Sequence, residues 1–217
     1  MRVALADDAD LYRETLGLLV RAAGHQVVHS VPDGDRLLAA LAAEPVDVAV
    51  LDIGMRPGAE GGIATARRAR GEAPATALLL LSHRGEAHYP ARVLEVGPAA
   101  VGYRLKDRIG RVDALAGTLD RLAAGETVLE PEVAARLVGR AGPALPGPLD
   151  VVLRLLAAGR PDGEIARDLD LPVAAAAGLA ATALAVLGVP DAAYPQRVPA
   201  LLSRLRTLAA GGQPPAW

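Results

Sequence analysis

Three aspartates stand where predicted strands end, and their type and position favour one chemistry. Asp7 and Asp8 follow an apolar stretch at residues 2–6, and Asp52 follows another at residues 46–51. Carboxylates brought together repel one another unless a cation lies among them. Oxygen ligands without cysteine or histidine favour Mg²⁺. A carboxylate beside Mg²⁺ can attack a phosphoryl group, because the metal neutralises the transferred oxygens.

Three further polar residues are placed to hold a new phosphate. Ser82 ends a fourth apolar stretch, and Lys106 ends a fifth, three residues after Tyr103. A hydroxyl and an ammonium at one rim would hydrogen-bond and ion-pair a phosphate. Lys106 is also the single lysine among 23 basic residues, which indicates a position that requires a compact ammonium. Taken singly, each polar residue is also typical of a turn, a helix cap or a core position.

These residues require a particular set of elements to bring them together. Short apolar runs alternate with amphipathic segments over residues 1–124, which predicts an α/β domain, a doubly wound (βα)5 parallel sheet with helices on both faces. Strands are predicted at 2–6, 27–31, 46–51, 77–81 and 99–105, and helices at 11–23, 33–43, 62–70, 86–96 and 112–124. Active groups lie at the carboxyl ends of such strands. Spacing does not give the strand order, so the aspartates meet only if strands one and three are neighbours.

The rest of the chain has a different pattern. Residues 125–147 are predicted as a linker that includes a helix near 131–138, with a stretch rich in glycine and proline at its end. Residues 148–217 show only helical periodicity, which predicts a small all-α domain. Its helices are predicted at 149–158, 163–169, 173–187 and 198–209.

Residues 1–124 resemble the receiver domain of two-component response regulators. The resemblance is carried by Asp7-Asp8, Asp52 in VLDIGMRPG, Ser82 in LLLLS, and Tyr103 with Lys106 in GYRLKD. The GYxLKD form resembles the NarL/FixJ class.

This resemblance implies a role for each residue. Asp52 would be the phosphoacceptor, and Asp7, Asp8, Asp52 and the main-chain carbonyl of Gly54 would hold Mg²⁺. Ser82 and Tyr103 would form the switch pair, and Lys106 would contact the phosphate. A sensor histidine kinase would be the phosphodonor, and the chain would form a homodimer. Phosphorylation of its own aspartate would be its only chemistry, so the protein would not be an enzyme.

Residues 145–189 resemble the LuxR-type helix-turn-helix in their core and turn positions. The matching residues are Leu145, Val152, Leu153, Gly159, Glu164-Ile165-Ala166, Leu169 and Leu187-Gly188-Val189. The family opens with Thr-Pro-Arg-Glu, and here residues 146–149 read PGPL. Pro161-Asp162 replaces a Ser-Asn pair, and Val186 replaces a lysine. The output domain is therefore interpreted as a degenerate member of the family.

The recognition helix departs furthest from the pattern. Ala175, Ala177 and Leu179 stand in the segment where the family carries Thr-Val-Lys-x-His, and Thr182 is the only polar residue between Val173 and Val189. Reading DNA requires side chains that reach bases and phosphates. A helix that is apolar on all sides is usually buried, so we expect helix 173–187 to be covered by another part of the protein or by a second subunit.

The charge balance of this region also argues against strong DNA binding. Residues 145–217 contain six arginines and six acidic residues, a balance of zero, whereas non-specific DNA affinity comes from neutralising phosphates. Two hypotheses follow. The chain is either a transcription regulator with a weakened DNA-reading surface, or a phosphorylation-gated protein that binds another regulator or dimerises. Under the first hypothesis, Arg160 and Arg167 would supply the DNA contacts.

Composition excludes several other classes. The chain has 217 residues, is 52% hydrophobic and contains no cysteine, which excludes a disulfide framework and a zinc–cysteine site. No apolar run approaches the ~20 residues of a membrane helix, and the acidic start is unlike a signal peptide. A cytoplasmic protein without a membrane partner is therefore expected.

Overall fold

Parallel strands and flanking helices form the first part of the chain, and helices alone form the second. The computed structural model describes residues 1–56, 61–83, 92–141, 145–190 and 192–211. Within it the chain divides into two units, Met1–Val128 and Leu129–Trp217. The α/β and all-α classes predicted for the two parts are confirmed.

The sheet of the first unit follows the order β2-β1-β3-β4-β5, and the short strand β6 completes it. The strands are β1 (Arg2–Ala6), β2 (Gln26–Val31), β3 (Val48–Asp52), β4 (Ala77–Ser82), β5 (Val101–Leu105) and β6 (Val128–Leu129). The pairs from β2 to β5 are parallel. Strand β1 lies beside β3 with Ala6 opposite Leu51, so the condition for the three aspartates to meet is fulfilled.

Helices cover the sheet, and they begin and end close to the predicted positions. The described helices of this unit are α1 (Asp10–Ala22), α2 (Gly34–Ala43), α3 (Gly61–Glu72) and α4 (Val112–Ala123). Asp33 caps α2, since its carboxylate accepts a hydrogen bond from the Arg36 amide at 2.9 Å. The predicted helix at 86–96 falls largely outside the described residues, which include only its last part.

One core cluster of the first unit lies between the strands and helices α1 and α4, and α2 and α3 bury further side chains, among them Leu37, Leu41 and Ile63. Every residue of β3 and β4 is buried, as expected for strands covered on both faces. The core residues contributed by α1 and α4 include Leu16, Val20, Leu115, Leu119 and Leu122. Burying each such side chain stabilises the fold by roughly 1.5–3 kcal/mol. This packing fixes the strand ends that carry the aspartates.

The second unit is a set of helices. They are α5 (Pro131–Ala141), α6 (Pro148–Ala157), α7 (Asp162–Asp168), α8 (Val173–Val186) and α9 (Arg197–Gly211). Helix α8 packs against α6 and α7. Helices α7 and α8 are joined by four residues and meet at 107°, within the range of about 90–120° typical of a helix-turn-helix. The predicted linker at 125–147 contains β6 and α5.

No single helix in the described part of the chain is both long and apolar enough to span a membrane. Helices α7 and α8 satisfy the length and composition criteria only when the bent pair is counted together.

Candidate functional site

The three aspartates predicted from the sequence lie together at the carboxyl ends of β1 and β3. One carboxylate oxygen from each of Asp7, Asp8 and Asp52 lies within 4.8 Å of the other two. Asp7 and Asp52 are buried, and Asp8 is exposed at the rim. The neighbouring positions of β1 and β3 produce this cluster, because both strands end at the same edge of the sheet.

Lys106 reaches the cluster from the end of β5. Its Nζ atom lies 2.7 Å from Asp7 Oδ2 and 2.8 Å from Asp52 Oδ1, and its side chain is only 5% exposed. Burial alone would lower the pKa of Lys106, but its hydrogen bonds and ion pairs with Asp52 and Asp7 outweigh burial and raise that pKa. The ammonium therefore remains charged.

The two buried aspartates differ in the number of their carboxylate oxygens that accept a hydrogen bond. Asp7 Oδ1 accepts a hydrogen bond from the Ala9 amide at 3.0 Å, and Asp7 Oδ2 accepts one from Lys106. Asp52 Oδ1 pairs with Lys106, whereas Asp52 Oδ2 has no hydrogen-bond partner among the described residues. One oxygen of Asp52 thus accepts no hydrogen bond from the described residues, whereas both oxygens of Asp7 accept one.

The three aspartates carry more negative charge than the Lys106 ammonium balances. Burial raises the pKa of Asp52 above its ordinary value, and Asp7 and Asp8 add to this rise while Lys106 opposes it. In their charged forms, three carboxylates and one ammonium have a net charge of −2. One divalent cation would balance this charge, and the donor atoms are all carboxylate oxygens, as Mg²⁺ prefers. The residues present therefore fit Mg²⁺.

Gly54, Ser82 and Tyr103 occupy the positions that the sequence predicted along this edge. Gly54 lies in the turn after β3, where an added Cβ would stand 3.3 Å from Asp52 Oδ2. Ser82 is fully buried at the end of β4, and its hydroxyl donates a hydrogen bond to the His83 carbonyl at 3.1 Å. Tyr103 is 2% exposed within β5. Their roles as metal ligand and switch pair remain predictions.

Tyr12 belongs to the site and was missed by the sequence analysis. It lies in the first turn of α1, and the Lys106 Nζ atom lies 4.4 Å from the centre of its ring. Burial raises the pKa of Tyr12, and the nearby Asp7 and Asp52 raise it further, so the phenol is neutral. The one signal available in the sequence was its spacing of four residues after Asp8 in a segment predicted to be helical.

The helix interpreted from the sequence as a degenerate recognition helix is α8, and the expectation that other parts of the same chain bury it is fulfilled on one face only. A stripe of Ala176, Ala180, Ala183 and Leu184 is buried, but Ala175 is exposed, and Ala177 and Leu179 are half-buried. The uniform apolar composition suggested burial on all sides. Helix α8 packs on α6 and α7, however, and only the face that carries this stripe is buried. The outward face of α8, as we define it, consists of the exposed residues Val173, Ala174, Ala175, Gly178, Ala181, Thr182, Ala185 and Val186.

Several arginines of the second unit are paired with acidic residues. Arg154 bonds Asp150 through two nitrogens at 2.7 and 3.3 Å, and the corresponding distances from Arg197 to Asp162 are 2.8 and 3.1 Å. A third pair joins Arg160 and Glu164 at 2.7 Å. Asp168 and Asp170 are exposed immediately before α8. Three arginines of this unit are thus neutralised by acidic neighbours, whereas the exposed Arg167 on α7 forms no ion pair among the described residues.

A family model for the response regulator receiver domain matches residues 3–107. These residues therefore form a response regulator receiver domain. The match includes the residues on which the sequence resemblance rested: Asp7, Asp8, Asp52, Ser82, Tyr103 and Lys106.

Solved structures extend the likeness. The signal receiver domain of the NarL response regulator from Mycobacterium tuberculosis is 29% identical; the alignment covers 58% of this chain and 97% of that one, with a TM-score of 0.51. The response regulator ChrA, from a heme-sensing two-component system, is 26% identical over 95% of this chain and 96% of that one, with a TM-score of 0.50.

A third structure likewise spans both units. RcsB from Salmonella enterica serovar Typhimurium, bound to the rprA promoter with the phosphomimetic beryllofluoride, is 24% identical over 94% of this chain and 98% of that one, with a TM-score of 0.53. This likeness shows the fold. No curated protein sequence matches the chain.

Mg²⁺ together with beryllofluoride is expected to stabilise the receiver domain. A ligand that binds only the folded state adds about 2.7 kcal/mol at a hundred-fold excess over its Kd, which raises the unfolding temperature by roughly 5–10 °C. Differential scanning calorimetry measures the shift. Asp8→Asn should reduce it, because Asp8 is exposed and its loss removes a ligand with little effect on the core. Asp10→Asn is the matched control, since Asp10 is exposed and outside the cluster. An equal shift in Asp8→Asn and the wild type would contradict the metal site.

Proposed function

We propose that this chain is a NarL/FixJ-class response regulator that accepts a phosphoryl group on Asp52 from a sensor histidine kinase and regulates transcription through its second domain. The observation that carries the proposal is the arrangement of Asp52. One of its oxygens is held by Lys106 at 2.8 Å, and the other has no partner among the described residues. Asp7 and Asp8 lie beside it and complete a site that fits Mg²⁺.

The chemistry follows from these contacts. Asp52 Oδ2 attacks the phosphorus atom, a new P–O bond forms, and the P–N bond to the imidazole of the donor breaks. Bound Mg²⁺ would neutralise the negative charge on the oxygens of the transferred phosphoryl group. Lys106, already charged and within hydrogen-bond distance of Asp52, would ion-pair the new phosphate. The buried hydroxyl of Ser82 and the ring of Tyr103 are proposed to convert this local change into a conformational one.

The Lys106→Arg variant tests whether Lys106 couples the phosphate to this change. Arginine keeps the charge, but it is longer and planar, so it fits poorly between two buried carboxylates at 2.7 and 2.8 Å. We expect beryllofluoride and Mg²⁺ to drive the wild type from monomer to dimer, and Lys106→Arg to lose this response. Light scattering measures the mass of both proteins before and after the addition.

Arg111→Lys, at an exposed position, is the matched control and should dimerise as the wild type does. If Lys106→Arg dimerised equally well, Lys106 would have no special role. If the wild type did not dimerise, phosphorylation-controlled dimerisation would be wrong.

Control of transcription rests on the second domain. The angle of 107° between α7 and α8 is that of a helix-turn-helix, and ChrA, similar over nearly the full chain, is a response regulator of a two-component system. The structure of RcsB, which has the same fold, has been solved bound to the rprA promoter. We infer that the second domain derives from a DNA-binding module.

A second candidate function is favoured by the outward face of α8. This face carries no charged residue, and Val173 and Val186 at its two ends are each 56% exposed. Exposed apolar patches typically mark contacts with other proteins. On this reading the chain is a phosphorylation-gated interaction protein, and α8 binds another regulator or a second copy of the chain. DNA affinity distinguishes the two functions.

A further inference from the structure

We propose that Tyr12 is a positioning residue of the phosphoacceptor site, whose ring holds the Lys106 ammonium in place for the incoming phosphate. This inference rests on the proposed function of Asp52. It starts from one contact, the distance of 4.4 Å between Lys106 Nζ and the centre of the Tyr12 ring. A cation within about 6 Å of a ring centre is attracted to the electron-rich face, and more strongly where water is excluded.

The two ion pairs of Lys106 explain why its contact with the Tyr12 ring matters. An ammonium group has three donors, and two of them point to Asp7 and Asp52 at 2.7 and 2.8 Å. When Asp52 is phosphorylated, the donor that faces it must turn to a phosphate oxygen. Lysine has a long flexible stem, so the ammonium needs a support that phosphorylation leaves unchanged. The Tyr12 ring supplies such a support, because it makes no bond to the reacting carboxylate.

The position of the ring is itself fixed by the loop between β1 and α1. The Ala9 amide donates a hydrogen bond to Asp7 Oδ1 at 3.0 Å, and the Arg13 guanidinium donates one to the Asp7 main-chain carbonyl. Both bonds tie the start of α1 to the residue that also binds Lys106. The ring is partly buried against the core of the receiver domain. Tyr12 and Lys106 are therefore held from two separate elements, α1 and the end of β5.

The test uses the single lysine of the chain. In protein labelled with ¹³C only in lysine, Lys106 gives the one Cε–Hε signal in an NMR spectrum. An ammonium lying over a ring has its Hε protons shifted upfield by the ring current. We expect this shift in the wild type and in Tyr12→Phe, which keeps the ring, and its loss in Tyr12→Leu. Leu11→Ala, an exposed neighbour on α1, should leave the shift unchanged.

A binding measurement gives the functional readout. At saturating Mg²⁺, beryllofluoride should bind Tyr12→Leu about five-fold more weakly than the wild type. Tyr12→Phe should bind it as the wild type does. The affinity for Mg²⁺ alone should remain within two-fold in Tyr12→Leu, because the aspartates that hold the metal are unchanged. A general loss of structure would weaken both affinities.

The outcomes separate this inference from the proposed function. A wild-type Lys106 signal at the position of a free lysine would overturn the inference, even if Tyr12→Leu failed to fold. So would equal beryllofluoride affinity in Tyr12→Leu and the wild type, or equal weakening in Tyr12→Phe and Tyr12→Leu. If the wild type showed the upfield shift but bound no beryllofluoride, the phosphoacceptor function would fail while the contact stood.

Discussion

Asp52→Asn is expected to abolish phosphorylation of the chain. Asparagine keeps the size of the side chain but removes the nucleophilic carboxylate, and Asp7 has both oxygens bound, to the Ala9 amide and to Lys106. With a small-molecule phosphodonor and Mg²⁺, intact-mass spectrometry should show one phosphoryl adduct on the wild type and none on the variant. Fragmentation of the wild-type adduct should place it on Asp52.

Asp35→Asn provides the matched control, since Asp35 is exposed and distant in the sequence from the cluster; it should be phosphorylated as the wild type is. An adduct that persists in Asp52→Asn, or one that fragmentation places on Asp7 or Asp8, would show that the nucleophile was assigned to the wrong carboxylate. Absence of any adduct on the folded wild type would contradict the receiver function more broadly.

DNA binding is expected to be weak and nearly independent of salt. A regulator that makes 6–10 phosphate contacts loses about 10³–10⁵ in affinity between 50 and 200 mM salt. In the second domain, three arginines are already paired with acids, and α8 has no charged residue with which to contact phosphates. We therefore expect a loss of less than about ten-fold over the same range, which corresponds to one or two contacts.

Fluorescence anisotropy with genomic fragments, with and without beryllofluoride, measures this dependence. Ala177→Glu and Val186→Glu add a negative charge to the half-buried and the exposed side of α8, and Val151→Glu does so at an exposed position on α6. If α8 reads DNA, the first two variants should weaken binding and the third should not. A nanomolar, sequence-specific complex at physiological salt that Ala177→Glu abolishes would contradict our interpretation. Dimerisation lost in Val186→Glu, without an effect on DNA, would favour the second candidate function.

The acidic site could be predicted because the positions of its residues follow from the topology of a parallel sheet. Functional groups of a parallel sheet lie at the carboxyl ends of strands, and the apolar stretches of the sequence showed where those ends fall. What spacing did not give was the adjacency of β1 and β3, which depends on how helices pack over the whole sheet. The resemblance to receiver domains implied only that Asp7, Asp8 and Asp52 hold one metal ion, and the structure shows that β1 and β3 are neighbours.

Tyr12 and α8 show where sequence patterns are insufficient. An aromatic residue in an amphipathic helix is typical of a core position, and no spacing rule indicates that a lysine 94 positions later lies over its ring. Helix α8 has almost no contrast between its faces, so periodicity does not reveal which side packs. Exposure of alanine is common on protein surfaces, and the neighbours α6 and α7 bury only the stripe that faces them.

Because the single lysine is buried in the phosphoacceptor site, cleavage after lysine can measure how often that site opens. A protease that cleaves after lysine has only the peptide bond between Lys106 and Asp107 to cut in this chain, and Lys106 is buried and held by two carboxylates. Cleavage therefore requires that the end of β5 detach from the sheet. Where opening and closing are fast relative to cutting, the cleavage rate reports the population of the opened state. Each native chain would yield two fragments, and their rate of appearance would measure the stability of the signalling site itself, separately from that of the helical domain.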